Sequence, residues 1–329
     1  MPITRADFNL LTDWLDSLFN EAAQNAIADM TGDRLFEVKD HPYYTFDHVV
    51  VHSPGGIQRV ADGQDAPTIL TDEGESITGT MTKYAGNVSI TEGLRMFVEA
   101  RGQDIVGIVK SVTHDAFDKV DQGYADTLLF GWDTSHTDIW DASRTSVGPD
   151  GLALFSASHT YGVATSSRTY SNLLHDGVNA DPKLGRAAIV ESRRRARTLL
   201  DPEGHVRPVN LDLLIIPARL EDLAERTIFS TQMSGTVNND SNPLKGKVKE
   251  VIAWPRLDTR SNGTDTSEYW FMADSMNVGE TLKSRFAKRP ILEPPEKVHT
   301  SGNWDYVISF WYTWLTGHAK YVFGSRGTN

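Results

Sequence analysis

Between Val60 and Gly86 the chain runs VADGQDAPTILTDEGESITGTMTKYAG, a stretch crowded with Asp62, Asp65, Asp72, Glu73 and Glu75 and poor in large apolar side chains. Such a segment cannot bury enough apolar surface to offset the entropy of ordering its backbone, so it gains order only by lying on another surface. It reads as an extended, exposed hairpin or loop. The N-terminus makes a similar demand. Phe8, Leu11, Leu15, Leu18, Phe19 and Ala22 recur at helical spacing, with Asp13, Asp16, Asn20 and Glu21 largely opposite. Thr4 followed by Asp7 resembles an N-terminal cap, and Thr31-Gly32 a stop. This stripe needs cover from a neighbouring domain or a neighbouring subunit. Two appendages therefore ask for partners.

The rest of the chain can build its own core. YYTFDHVVV, Tyr43 to Val51, is strand-like and is followed by an SPGG turn. From Ile90 to Phe130 helical periodicity returns, with Ile105, Ile108, Val109, Val112, Ala116 and Val120 on one stripe. Gly102, Gly107 and Gly123 make this longest helix either interrupted or closely packed against backbone. Gly131 ends it, and WDTSHTDIWDASRTSVGPDG is loop. Leu152 to Trp270 carries the signs of a compact α/β domain. Asp181-Pro182 reads as a helix start, LDLLIIP as a buried strand, and Leu220, Leu223, Ala224, Thr227 and Ile228 as one helix face. KVKEVIAWP and EYWFMAD add strands, and the tail from Lys297 to Lys320 is strand-like and rich in Trp.

Composition narrows the class. A chain of 329 residues fits roughly two domains at about 150 residues each. Its formal net charge of -12 opposes a role in gripping nucleic acid, so any contact with DNA is local or a matter of confinement. The lack of Cys removes disulfides, Cys-ligated metals and cysteine nucleophiles. No apolar run suggests a membrane span, and MPITRADFNLL is not a signal peptide.

Candidate chemistry is sparse. Nucleotide-binding, P-loop, HExxH and EF-hand patterns are all missing. Ser156 and His159 could be drawn as nucleophile and base, the hydrolase alternative, though LFSASHTYG lacks a nucleophile elbow. His48 and His52 share a strand face but stand about 13 Å apart, too far to ligate one ion. Asp133, His136 and Asp138 form a more compact loop trio, read either as a cation site or as loop capping. We assign no catalytic residue, cofactor or metal. From Pro182 to Arg207 the chain turns basic, with Arg193, Arg194, Arg195 and Arg197 clustered on one helix. Those arginines form a solvated face, a subunit contact with the acidic 62 to 75 segment or the N-terminal helix, or a surface packed on phosphate. Taken together, the residues favour an assembly protein over an enzyme.

From Asp150 onward a resemblance emerges. DGLALFSASHT, TYSNLL, a helix with clustered Arg and VNLDLLIIPARLEDLAERTI occur in that order. NPLKGKVKEVIAWPRLD, EYWFMAD and a C-terminal YVFGSRG follow. Together they resemble the major capsid proteins of tailed bacteriophages, in the Mu-like major head subunit branch of the HK97 family. The resemblance implies an α+β fold, the HK97-like phage capsid fold. It would have an N-terminal arm (residues 1–32), a P-domain strand with an extended E-loop (33–90), and a P-domain spine helix with a loop (91–145). An A-domain (146–260) and a return to the P-domain with C-terminal strands (261–329) would complete it. Within these, the E-loop maps to about 51 to 88 and the spine helix to about 103 to 130.

The implied function is a major head protein that self-assembles through pentamers and hexamers into an icosahedral shell around packaged double-stranded DNA. Another virion subunit, of tail tube or adaptor type, is the alternative. The resemblance places the protein in the virion capsid, assembled in the host cytoplasm, away from membranes. Implied partners are further copies of the chain, a portal, a decoration protein and DNA held non-specifically. Many relatives begin with a long scaffolding segment, whereas only a few residues precede the first helix here, so a separate scaffolding protein is expected. Lys83 is the only Lys of the E-loop, and an isopeptide crosslink there is not expected. The expected subunit-contact residues are Phe8, Leu11, Leu15 and Leu18 of the arm, Asp62, Asp65, Asp72, Glu73 and Glu75 of the loop, and Arg193, Arg194, Arg195 and Arg197.

Overall fold

A computed structural model of the chain describes residues 5–51, 73–91, 98–135, 146–161, 168–232, 241–294, 296–297 and 303–328. The first element is α1, Arg5–Asp29, and the longest is α2, Val98–Leu129, of 32 residues. The two helices pack on each other. Val109, Ala116, Phe117, Val120, Tyr124 and Leu128 of α2 are buried at helical spacing, while Ile108 of the expected stripe is exposed. Gly123 sits where α2 meets aromatic side chains: a Cβ there would lie 2.9 Å from the Tyr312 hydroxyl and about 3 Å from the Trp314 ring.

Beneath α2 lies a five-stranded sheet. Strands β1 (Glu37–Asp40), β10 (Leu282–Leu292), β12 (Trp304–Thr316) and β11 (Glu296–Lys297) follow in order, and β4 (Thr82–Ile90) pairs with β12. This sheet and α1 with α2 form one body. Strands β2 (Thr45–Val51) and β3 (Glu73–Thr80) form a separate antiparallel ribbon that brackets residues 52–72. Residues 82–90, which the expected extended loop would include, are instead bonded along β12 and do not continue the ribbon.

The second body is a four-stranded sheet of order β13-β9-β7-β8. Strand β7 is Leu213–Ile216, β8 Glu250–Ala253, β9 Trp270–Ala273 and β13 Val322–Ser325. Leu214, Ile216, Trp270 and Met272 point into one apolar cluster with helices α3 (Arg186–Arg197) and α4 (Glu221–Ile228). Leu213, Ile215, Phe271 and Ala273 point into the other, shared with α2. Burial on both faces explains why LLII and WFMA are apolar throughout. A short antiparallel pair, β5 (His159–Thr160) with β6 (Thr169–Tyr170), lies before α3.

Four expectations change here. Strands β9 and β13 complete the second sheet, so residues 261–329 do not simply return to the first body. Asp181-Pro182 does not start a helix: α3 begins at Arg186 after Gly185. Asp181 instead adopts a left-handed φ of 56°, and its carboxylate accepts from Arg326 Nη2 at 2.6 Å. Around α4 the buried residues are Leu220, just before the helix, Ala224 and Ile228, at a strict four-residue step, leaving Leu223 43% exposed. Finally, Leu15 and Leu18, expected to meet another copy, are buried with Phe19, Ala22 and Ala26 within their own chain.

Candidate functional site: the interdomain joint and the surfaces left for other copies

The joint between the two bodies turns on Asp121 of α2, a carboxylate 4% exposed. Its Oδ1 accepts from the Gly32 backbone N–H at 2.8 Å, which fixes the end of α1. Its Oδ2 accepts from Trp254 Nε1 at 3.0 Å and Arg256 Nε at 2.8 Å, both just past β8. Arg256 also pairs with Asp118 at 2.6 Å. One buried charge therefore joins the segment after α1, helix α2 and the second sheet, and its hydrogen bonds offset its desolvation. Gly32 is required by close approach, since a Cβ would stand 2.3 Å from Tyr124 Cδ2.

A second node holds the entrance to the second body. His159 is fully buried, with Nδ1 2.6 Å from Asp150 Oδ2 and Nε2 3.1 Å from the Leu154 carbonyl. Asn172, also fully buried, donates to the carbonyls of Leu154, Ala319 and Val322 and accepts from Ser156 N–H. Burial pushes the Asp150 carboxyl up, but its hydrogen bond and charge contact with His159 prevail and hold it below the ordinary range. Both ring nitrogens of His159 are thus engaged away from Ser156, whose Oγ accepts from Ser158 N–H at 3.3 Å. The drawn nucleophile and base are not aligned for acyl transfer.

Other candidates fall as follows. Asp133 accepts from Arg260 Nη1 at 3.2 Å, while His136 and Asp138 lie outside the described residues, as does His52. His48 is held below its usual range by burial and by the Lys283 charge. Asp201, Glu203 and His205 bring ligand atoms within 4.8 Å of one another. Asp201 already accepts from two backbone N–H groups and pairs with Arg207, so the trio is a satisfied turn.

The expected contact residues separate into three groups. Leu15 and Leu18 belong to the subunit's own core, and Arg193 is buried with its guanidinium donating to the Lys247 carbonyl. None of these three is free to meet another copy. Glu75 of β3 is likewise engaged within the chain, accepting from Thr160 Oγ1 at 2.9 Å, and burial pushes its carboxyl up. Asp62, Asp65 and Asp72 lie outside the described residues; so do the side chains of Phe8, Leu11 and Glu73, although their backbones belong to α1 and β3. Arg194, Arg195 and Arg197 remain on the outer face of α3. Arg194 reaches Glu191 through Nη2 at 2.6 Å and Arg195 through Nε at 3.0 Å. These two partners hold the Glu191 carboxyl down to about 2. Two guanidiniums on one carboxylate leave the face net positive.

Among the described residues no helix is long and apolar enough to cross a membrane. No protein-family model matches the chain, and no curated protein matches it in sequence. Solved structures do match in fold. The mature capsid of bacteriophage PhiM1 aligns with a TM-score of 0.54 at 9% identity, covering 91% of this chain and 87% of that one. The capsid of Myoviridae phage XM1 aligns at 0.51 with 12% identity over 88% of each chain. A structure of Gordonia phage Cozz aligns at 0.50 with 11% identity, over 90% of this chain and 85% of the other. The long helix α2, the two-stranded ribbon and the two sheets together give this chain the α+β, HK97-like fold of phage capsids.

Proposed function

We propose that this chain is a major capsid subunit of a tailed bacteriophage, assembling through pentamers and hexamers into an icosahedral shell that encloses double-stranded DNA. The observation that carries the reading is alignment over about nine tenths of the chain with capsid structures that are themselves covered to 88% and 87%. An accidental likeness of one sheet or one helix pair would not span both bodies. The paired ribbon β2 and β3 supports it, because an acidic stretch at residues 62, 65 and 72 between its strands suits contact with a neighbouring copy. The net charge of -12 fits a wall that confines DNA without adhering to it. A portal, a separate scaffolding protein and an outer decoration protein complete the proposed set of partners. The site of the protein in this reading is the virion, and its work is structural.

The test is assembly of the purified full chain, alone and with a co-expressed scaffolding protein, followed by sedimentation and electron microscopy. Closed, uniform shells are the expected outcome. A stable monomer of 36.5 kDa under every condition would overturn the reading.

A further inference from the structure

A polar cavity of about 390 Å³ lies where the segment after α3 meets the C-terminal tail, lined among others by Tyr161, Asp201, Arg207, Asn277, His318 and Lys320. This volume is within the usual range for a small-molecule site. Lys320 is only 8% exposed, and among the described residues no hydrogen bond or ion pair reaches its Nζ. Lys320 Nζ is not itself fully buried, so the ammonium of this largely buried side chain opens to the cavity with no protein partner among the described residues, a charge that the fold does not itself satisfy. The nearby carboxylate is already committed. Asp201 Oδ1 accepts from the backbone N–H groups of Glu203 at 3.1 Å and His205 at 2.8 Å, and Oδ2 from Arg207 Nε at 3.3 Å. Arg207 spends only Nε on that contact, and its Nη1 and Nη2 carry no hydrogen bond among the described residues. Glu203 turns to His205, with Oε2 3.4 Å from the ring nitrogen, and does not line the cavity.

We infer that this cavity is a binding site for a small oxyanion of the phosphate class, held by Lys320 and by the outer edge of the Arg207 guanidinium. An ammonium and a guanidinium edge together supply several charge-assisted donors, and a tetrahedral oxyanion offers acceptors in every direction. Burial and the neighbouring Arg207 charge depress the Lys320 amine, against the pull of Asp201, which is the environment an added anion would relieve. The inference stands apart from the shell-building proposal and holds in whatever assembly state the chain is purified.

The probe is inorganic phosphate, titrated calorimetrically into the full chain against chloride at matched ionic strength. A second titration uses a short single-stranded oligonucleotide, because a backbone phosphodiester presents the same oxygens. Saturable phosphate binding is expected in the wild type. Lys320→Met, which keeps an unbranched stem, and Arg207→Gln, at a residue whose side chain is 53% exposed, should each weaken it about tenfold, and Lys320→Arg should retain it. Tighter binding of the oligonucleotide, lost in the same two variants, would assign the site to nucleic-acid phosphate. Competition that favours free phosphate would assign it to the small ion. Absence of saturable binding of either probe to the wild type, or equal affinity in the wild type and Arg207→Gln, overturns the inference even if Lys320→Met fails to fold.

Discussion

Glu37, at the start of β1, illustrates how single charges are placed in this molecule. Its Oε2 accepts from Arg285 Nη2 at 2.6 Å and lies 3.4 Å from Lys283 Nζ, and its Oε1 meets Lys39. The side chains of Lys283 and Arg285 are 5% and 8% exposed, so both depend on this carboxylate. Burial pushes the Glu37 carboxyl up, but hydrogen bonds from Lys39 and Arg285 outweigh it and bring the pKa down from 4.5 to about 2. A carboxyl lowered by folding contributes stability above its unfolded value and loses it as pH falls through the folded one. That contribution should therefore be complete above pH 4.5 and fade toward pH 2. Glu37→Gln is expected to cost about 3 kcal/mol at pH 7, at the low end for breaking a buried pair because Glu280 still faces Lys283. Urea unfolding should also show a shallower decline in the variant than in the wild type between those two pH values. Parallel declines would mean that the network does not titrate with folding.

At the scale of elements, local pattern and tertiary contact divide the information. Strands β7 and β9 were legible because every residue in them is apolar, and the structure buries both faces. Helix α2 was legible from its period, apart from about one turn at its start. The face of α4 was misread because a helix of eight residues has too few turns to fix its phase, and contact with the sheet selects 220, 224 and 228 over 223. The Asp121 joint was not legible at all. Its partners Gly32 and Trp254 lie 89 and 133 residues away, and no local spacing encodes such a meeting. The cover of α1 was open for the same reason, since the sequence shows a stripe but not what lies on it. A paired measurement tests the assignment. Leu15→Ala, at a fully buried position, should cost about 3 kcal/mol, whereas Leu223→Asp should cost under about 1 kcal/mol. The reverse order in urea midpoints would show that α1 is undocked in solution and that α4 buries its other face.

For the whole molecule the decisive quantity is charge. Copies carrying -12 each repel one another, so a shell of them needs local positive surface turned toward negative surface. In the proposed shell helix α3 would supply that surface through Arg194, Arg195 and Arg197, three guanidiniums on its exposed face against the single Glu191 that two of them share. The acidic residues 62, 65 and 72 between β2 and β3 are the proposed counterpart on a neighbouring copy, with the arm as the other option. Replacing both Arg194 and Arg195 with Glu should leave the melting temperature of the isolated subunit nearly unchanged, because solvent screens exposed pairs of this kind and leaves them little net stabilisation. Shell yield should fall much further, since the same small loss recurs at every contact of a closed lattice. Changing Asp62 and Asp65 to Lys in the double variant should recover part of that yield, and the deficit should depend on salt because exposed charges are screened. Sedimentation of wild type, double variant and compensated variant at low and moderate salt reads all of this at once. Equal yields would make α3 a solvated face. Intact shells that no longer retain DNA would instead place the arginines on the inner wall, where their partner is phosphate and not a neighbouring carboxylate.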